Sequence, residues 1–181
     1  EDRLPAACDL DERAVSLGVL SKTYGLPGLR IGWVATRNRA VLDAMAAFKD
    51  YTTICNGAPS EFLASLALRR RERLVRRNLE IIATNLVLLR EIIDGHAERF
   101  EWTPPRAGSV AYPALREGGS ERFCLDLLER TGVLLLPGRY FDERDDRHFR
   151  IGLGRAGLGV GLKRLDAYLR APAVARPGAT P

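Results

Sequence analysis

Lysine is scarce in this chain. Of 28 basic residues among 181, only Lys22, Lys49 and Lys163 are lysines, and the remaining 25 are arginines. Beside abundant alanine, this bias follows codon composition more closely than a design for nucleic acid, and it makes each lysine a question in itself. Cysteine and histidine are scarce too. Cys8, Cys55 and Cys124 are an odd number, far apart and without C-x-x-C spacing, which suits a reducing compartment and argues against a zinc site. His96 and His148 have no partner at ligand spacing. No apolar run approaches the ~20 residues that span a bilayer, and no signal-peptide pattern opens the sequence, so no membrane partner and a cytoplasmic location are expected.

What is present describes a folded chain. It is 46% hydrophobic and 28% charged, with 17 glycines and 10 prolines, values that exclude disorder and collagen-like structure. A chain of this length buries roughly 70% of its unfolded surface and needs neither disulfide nor metal to fold. The net charge of +5 is basic but not extreme. The run Arg69–Arg77 (RRRERLVRR) reads as the solvated face of a helix with Leu74 and Val75 turned inward. It lacks the aromatic interleaving of a nucleic-acid patch, and no nucleic-acid partner is expected.

Patterning along the chain predicts an α/β protein. Residues 14–20 read as a buried strand, followed by a turn at Gly25, Pro27 and Gly28 and a second apolar stretch over 30–35. Asn38 is a candidate N-cap for a helix with Val41, Leu42, Met45 and Phe48 on one face, and Pro59 opens a further helix. Helical spacing runs to about Ile93 with a break near Arg71–Glu72. Strands are expected at 100–103, 109–112, 133–136 and 149–153. A helix is expected over 120–131, with Ser120 as its N-cap and Gly132 beyond its end. The seam Leu162, Leu165, Leu169 gives a last helix, and the Ala/Pro/Gly-rich tail 171–181 reads as disordered.

The most informative stretch is Ser21-Lys22-Thr23-Tyr24-Gly25-Leu26-Pro27-Gly28-Leu29-Arg30-Ile31-Gly32-Trp33. A lysine at the end of a buried strand loses hydration of its ammonium. Desolvation lowers its pKa, and the neutral amine attacks carbonyls, which a guanidinium cannot do. The glycines permit a turn that returns Arg30 toward the lysine, where its planar fork can hold a phosphate.

This segment closely resembles the lysine segment of the class I/II, fold-type I, pyridoxal-phosphate (PLP) aminotransferases. The resemblance implies that Lys22 forms the internal aldimine with PLP and acts as acid and base at the substrate α-carbon. Arg30 corresponds to the arginine that binds the PLP phosphate, and Ser21 accompanies the lysine. Downstream, P-G-R-Y-F and H-F-R-I-G-L-G (137–141 and 148–154) resemble the C-terminal signature, in which Arg150 clamps the substrate carboxylate. N-G-A-P-S before a helix and P-R-A-G-S-V-A-Y fit as well, so the likeness covers about residues 14–170.

By this resemblance the fold is a partial PLP-dependent transferase-like large domain (1–71), an interdomain helix with a small α+β domain (72–170), and the tail (171–181). The implied partners are α-amino acid and 2-oxo acid substrates and a second copy in a homodimer.

Two departures stand out. Val19 replaces a hydroxyl residue that often assists the phosphate, and the family's Asp motif for the pyridine nitrogen has no counterpart; Asp2 and Asp9 lie too close to the lysine strand. The chain is therefore expected to be the C-terminal portion of such an enzyme, incomplete and inactive alone. Cyclisation, decarboxylation or oxidation of an amino acid, or a non-catalytic remnant or assembly module, are the alternatives. Gly152-x-Gly154-x-x-Gly157 matches a dinucleotide fingerprint in letters only: Asp166 comes too early for a ribose-binding acid, and a loop after the arginine strand explains it better.

Overall fold

A computed structural model describes residues 4–142 and 144–171. The expected tail lies outside the described residues except for Ala171. Backbone contacts divide the chain into two compact units, 1–78 and 79–181, and the architecture is mixed α/β.

The first unit opens with a short helix, α1 (Ala7–Leu10), and an antiparallel pair, β1 (Val15–Val19) and β2 (Gly32–Thr36), in the register Val15 to Thr36 through Val19 to Gly32. Gly18 faces Trp33 across this ladder, and a Cβ there would collide with the indole unless the Trp33 side chain moved. The pair is not the buried strand expected from residues 14–20. Leu17 is 75% exposed, and burial is complete only beyond the strand, at Leu20.

Helix α2 (Arg39–Thr52) starts as expected: the Asn38 side chain accepts a hydrogen bond from the Val41 N–H at 3.2 Å. Its apolar face is uncovered at Met45 and Phe48. Helix α3 (Ala58–Arg69) carries Pro59 in its first turn, and the chain breaks at Arg70 before α4 (Arg71–Gly95), a 25-residue helix. Arg69–Arg71, Arg73, Arg76 and Arg77 are exposed, as is the intervening Glu72, while Leu74 and Val75 are half-buried.

The second unit holds the hydrophobic core. Strands β3 (Phe100–Glu101) and β5 (Ala114–Leu115) form one pair, and β4 (Val110–Ala111), β7 (Phe149–Gly152) and β6 (Leu136–Pro137) form a three-stranded sheet with β7 central; all pairings are antiparallel. Alternation along β7 sends Phe149 and Ile151 into the core, each 1% exposed. There Phe149 meets Phe123 and Phe100 at centroid distances of 5.0 and 5.9 Å. Helices α4, α5 (Ser120–Thr131) and α6 (Leu158–Arg170) close this core with Leu89, Leu127 and the expected seam Leu162, Leu165, Leu169.

Several strands are shorter than the patterning suggested, and β5 was not anticipated. Of the stretch 133–136, only Leu136 is in a strand. Ser120 is not the N-cap of α5: Gly119 is, and Ser120 is the first helical residue. Its hydroxyl donates to Asp146 Oδ1 at 2.8 Å, and the same oxygen accepts the Glu121 N–H, so a carboxylate from a distant loop caps the positive helix end. At the other end Gly132 takes φ 72°, as a C-terminal glycine should.

Candidate active site

The lysine segment forms the connection between β1 and β2. The ladder continues past the strands through the Leu20 N–H, which donates to the Ile31 carbonyl at 3.1 Å. Ser21, Lys22 and Arg30 all lie in the connection beyond this last bond, at one end of one hairpin. The Gly25 N–H returns to the Lys22 carbonyl and the Leu26 N–H to the Leu20 carbonyl, both at 3.0 Å. Gly25 needs φ 67°, which glycine adopts freely.

Asn78 of α4 locks this turn. Its side-chain amide donates to the Thr23 carbonyl at 2.9 Å, and it would also crowd any Cβ placed on Gly25. Nothing in the residue pattern pointed to Asn78, because it lies 55 residues from the turn it holds.

Arg30 follows a single 3₁₀ turn (Pro27–Leu29) and adopts a left-handed backbone, φ 55° and ψ 35°. For a residue with a Cβ that conformation costs roughly 1–2 kcal/mol, and such strain collects at functional sites. Among the described residues its guanidinium donates once, to the Pro27 carbonyl at 2.9 Å, so its remaining N–H groups have no protein acceptor there. Lys22 is exposed rather than buried, so the desolvation expected for it is not supplied by its own surroundings. Its amine has no hydrogen-bond or ion-pair partner among the described residues. Tyr24 packs on Trp33 at 6.4 Å between centroids, while Tyr51 is 95% exposed. An amine and guanidinium donors without protein partners among the described residues, carried on one hairpin connection, can hold an aldehyde that carries an anionic group.

Arg150 belongs to the second unit. It lies in the middle of β7, on the face opposite Phe149 and Ile151, and is half-buried. Its guanidinium carbon lies 5.4 Å from the Phe141 ring centroid, and no carboxylate or carbonyl takes its N–H groups among the described residues. Among the described residues its hydrogen-bonding capacity is therefore open to an anion.

The loop after β7 is held from α4. Asn85, 4% exposed, donates at 2.8 Å to the carbonyls of both Leu153 and Arg155, which explains Gly154–Gly157 as a braced connection. His96 pairs with Asp166 at 3.0 Å. Arg170 first, and then His96, holds the Asp166 carboxyl below the usual carboxylate range by hydrogen bonding. No cluster of three potential metal ligands occurs among the described residues, and no helix there is long and apolar enough to cross a membrane.

A mixed α/β chain whose hairpin presents a lysine and an arginine, followed by an open arginine on a small sheet, has the make-up of a PLP-dependent transferase. Residues 4–158 match the aminotransferase class I and II family, to which the chain belongs. It is 32% identical over 162 residues to capreomycidine synthase of Streptomyces vinaceus, a match covering 89% of this chain and 41% of that protein. Among solved structures it resembles a PLP-dependent aminotransferase from Streptococcus suis, with 35% identity and a TM-score of 0.83 over 92% of this chain and 44% of that one. It also resembles the PLP-dependent cyclase OrfR, with 37% identity and a TM-score of 0.76 over 86% of this chain and 43% of that one. The chain thus spans less than half the length of each of these relatives. The family depends on PLP.

Proposed function

We propose that this chain provides the lysine-bearing and carboxylate-binding part of a PLP-dependent aminotransferase acting on an α-amino acid and a 2-oxo acid. The observation that carries the reading is the emergence of Lys22 and Arg30 from one hairpin end within the family-matched region. PLP requires an amine for its aldehyde and donors for its phosphate. Lys22 offers an unpartnered amine, and Arg30 and the Ser21 hydroxyl offer donors, so the residues present fit the group.

When bound, PLP supplies an electron sink that weakens the bonds at the substrate α-carbon. Lys22 Nζ holds the cofactor and moves the proton at that carbon. Arg30 binds the phosphate with parallel N–H groups, and Ser21 adds a hydroxyl donor. Arg150 takes the substrate carboxylate through two parallel hydrogen bonds, which orients the Cα–H bond. Residues 1–71 act in this reading as part of the cofactor-binding domain and 72–170 as the interdomain helix and small domain. In this reading turnover also requires cofactor-binding residues that this chain does not itself supply, and assembly as a homodimer.

The phosphate assignment is tested by comparing PLP with pyridoxal, which lacks the phosphate. The intact chain binds PLP more tightly, and Arg30→Ala removes most of that preference; an unchanged preference contradicts the role of Arg30. One observation favours a second reading. The likeness to a PLP-dependent cyclase at 37% identity supports another reaction at the same α-carbon, such as cyclisation. Transamination releases a 2-oxo acid in step with amino acid consumed, whereas cyclisation retains the amino group, so product analysis of the assembled enzyme separates them.

A further inference from the structure

Arg150 poses a physical problem. A ligand-binding guanidinium must be held still, yet an acidic partner that held it would neutralise it and occupy the donors its ligand needs. Its surroundings in the second unit contain a different solution. The β4–β7 register, Val110 with Gly152 and Ala111 with Ile151, sets Tyr112 directly across from Arg150, and the bridge between Ala114 and His148 continues the same register. Cross-strand neighbours share a face, so Tyr112, His148 and Arg150 occupy the side of the sheet opposite the core.

The rings on that face form a chain of contacts. Tyr112 stacks on His148 at 4.9 Å with an interplanar angle of 11°. Its ring also meets Phe141 edge to face, at 6.2 Å and 88°. Phe141, the last residue of the 3₁₀ turn Gly138–Phe141, in turn covers the Arg150 guanidinium carbon at 5.4 Å. A ring face attracts a cation without accepting its N–H groups in ordinary hydrogen bonds, so the edge of the fork stays open.

We propose that Phe141, backed by Tyr112 and His148, is a positioning assembly that fixes the Arg150 guanidinium by its face and leaves its N–H edge free for the substrate carboxylate. The proposal rests on the reading of Arg150 given above. It predicts that orientation, and with it carboxylate affinity, depends on an aromatic ring at 141.

The test is NMR of the ¹⁵N-labelled chain, following the Arg150 Nε–H signal and titrating with pyruvate as the carboxylate probe. In the parent chain this signal carries a ring-current displacement. Phe141→Leu removes the displacement and weakens pyruvate binding about 3- to 10-fold, the range of one partly exposed cation–π contact. Phe141→Tyr retains both properties, and Tyr112→Ala moves both in the same direction by less. Unchanged core signals from Phe149 and Ile151 verify that each variant is folded.

An Arg150 signal identical in the parent and Phe141→Leu chains overturns the assembly, as does unchanged pyruvate affinity in Phe141→Leu when Arg150→Gln abolishes binding. Undiminished pyruvate binding in Arg150→Gln instead removes the carboxylate role of Arg150, and with it the purpose of the assembly. The ring-current displacement separately decides whether the ring contact exists.

Discussion

Single residues in this chain do their work through what surrounds them, and the three cysteines show how far apart one residue type can be driven. Cys124 is 4% exposed on the inner face of α5, and burial first, then the nearby Asp146 charge, pushes its thiol up to about 12. Cys55 is exposed. Only thiolates alkylate readily, so a timed iodoacetamide reaction at neutral pH should label Cys55 quickly and leave Cys124 unlabelled until denaturant is added. Labelling of both at equal rates in the native chain contradicts the described core. Lys22 and Arg30 were legible as candidates because a lysine is rare here and the segment around it is distinctive. The strained backbone of Arg30 was not legible, since nothing in an arginine codes for positive φ; it follows from the 3₁₀ turn before it and the ladder after it.

At the scale of elements, long-range side-chain hydrogen bonds hold the two connections that matter most. Asn78 fixes the lysine turn and Asn85 braces the loop after the arginine strand, both from α4. Asn85 is the clearer case energetically. Replacing it with alanine strips partners from the Leu153 and Arg155 carbonyls and leaves a small void, which should cost about 1–3 kcal/mol. Urea unfolding followed by far-UV circular dichroism measures this; a loss under 0.5 kcal/mol would show that water replaces the amide at no cost.

Local signals read well where they were local. The Asn38 cap, Pro59, Gly132 and the α6 seam all stand as their chemistry suggests. Ser120 misled because its hydroxyl serves Asp146, 26 residues away, instead of its own helix. The two-residue strands were equally hard to read, because each is set by pairing with a distant partner and not by a periodic run of its own.

Over the whole molecule, apolar burial is uneven. The core cluster lies entirely in the second unit, whereas the buried apolar residues described in the first are Leu20 and Ala64. The apolar run at 14–20 suggests a buried strand, but an apolar run records what a strand can bury, not what lies against it. Stability should therefore be dominated by the second unit, and its alkaline limb by two groups there. Tyr168 is pushed up to about 12 by burial and then by its hydrogen bond to Asp126, and Cys124 also reaches about 12.

Both groups keep their protons in the folded chain at pH values where the unfolded chain, with ordinary values of 9.0 and 10.0, has released them. The folded state binds more protons in that window, so stability falls as pH rises from about 9 toward 12. Thermal melts across that range check the slope, and a flat profile contradicts it. The hairpin end of the first unit is proposed to hold PLP, and the scarcity of lysine makes one measurement decisive. The chain is mixed with PLP, reduced with borohydride, digested and analysed by peptide mass. A phosphopyridoxyl adduct on Lys22 in clear excess over Lys49 and Lys163 is expected; equal labelling of all three, or none on Lys22, rules out the role proposed for Lys22.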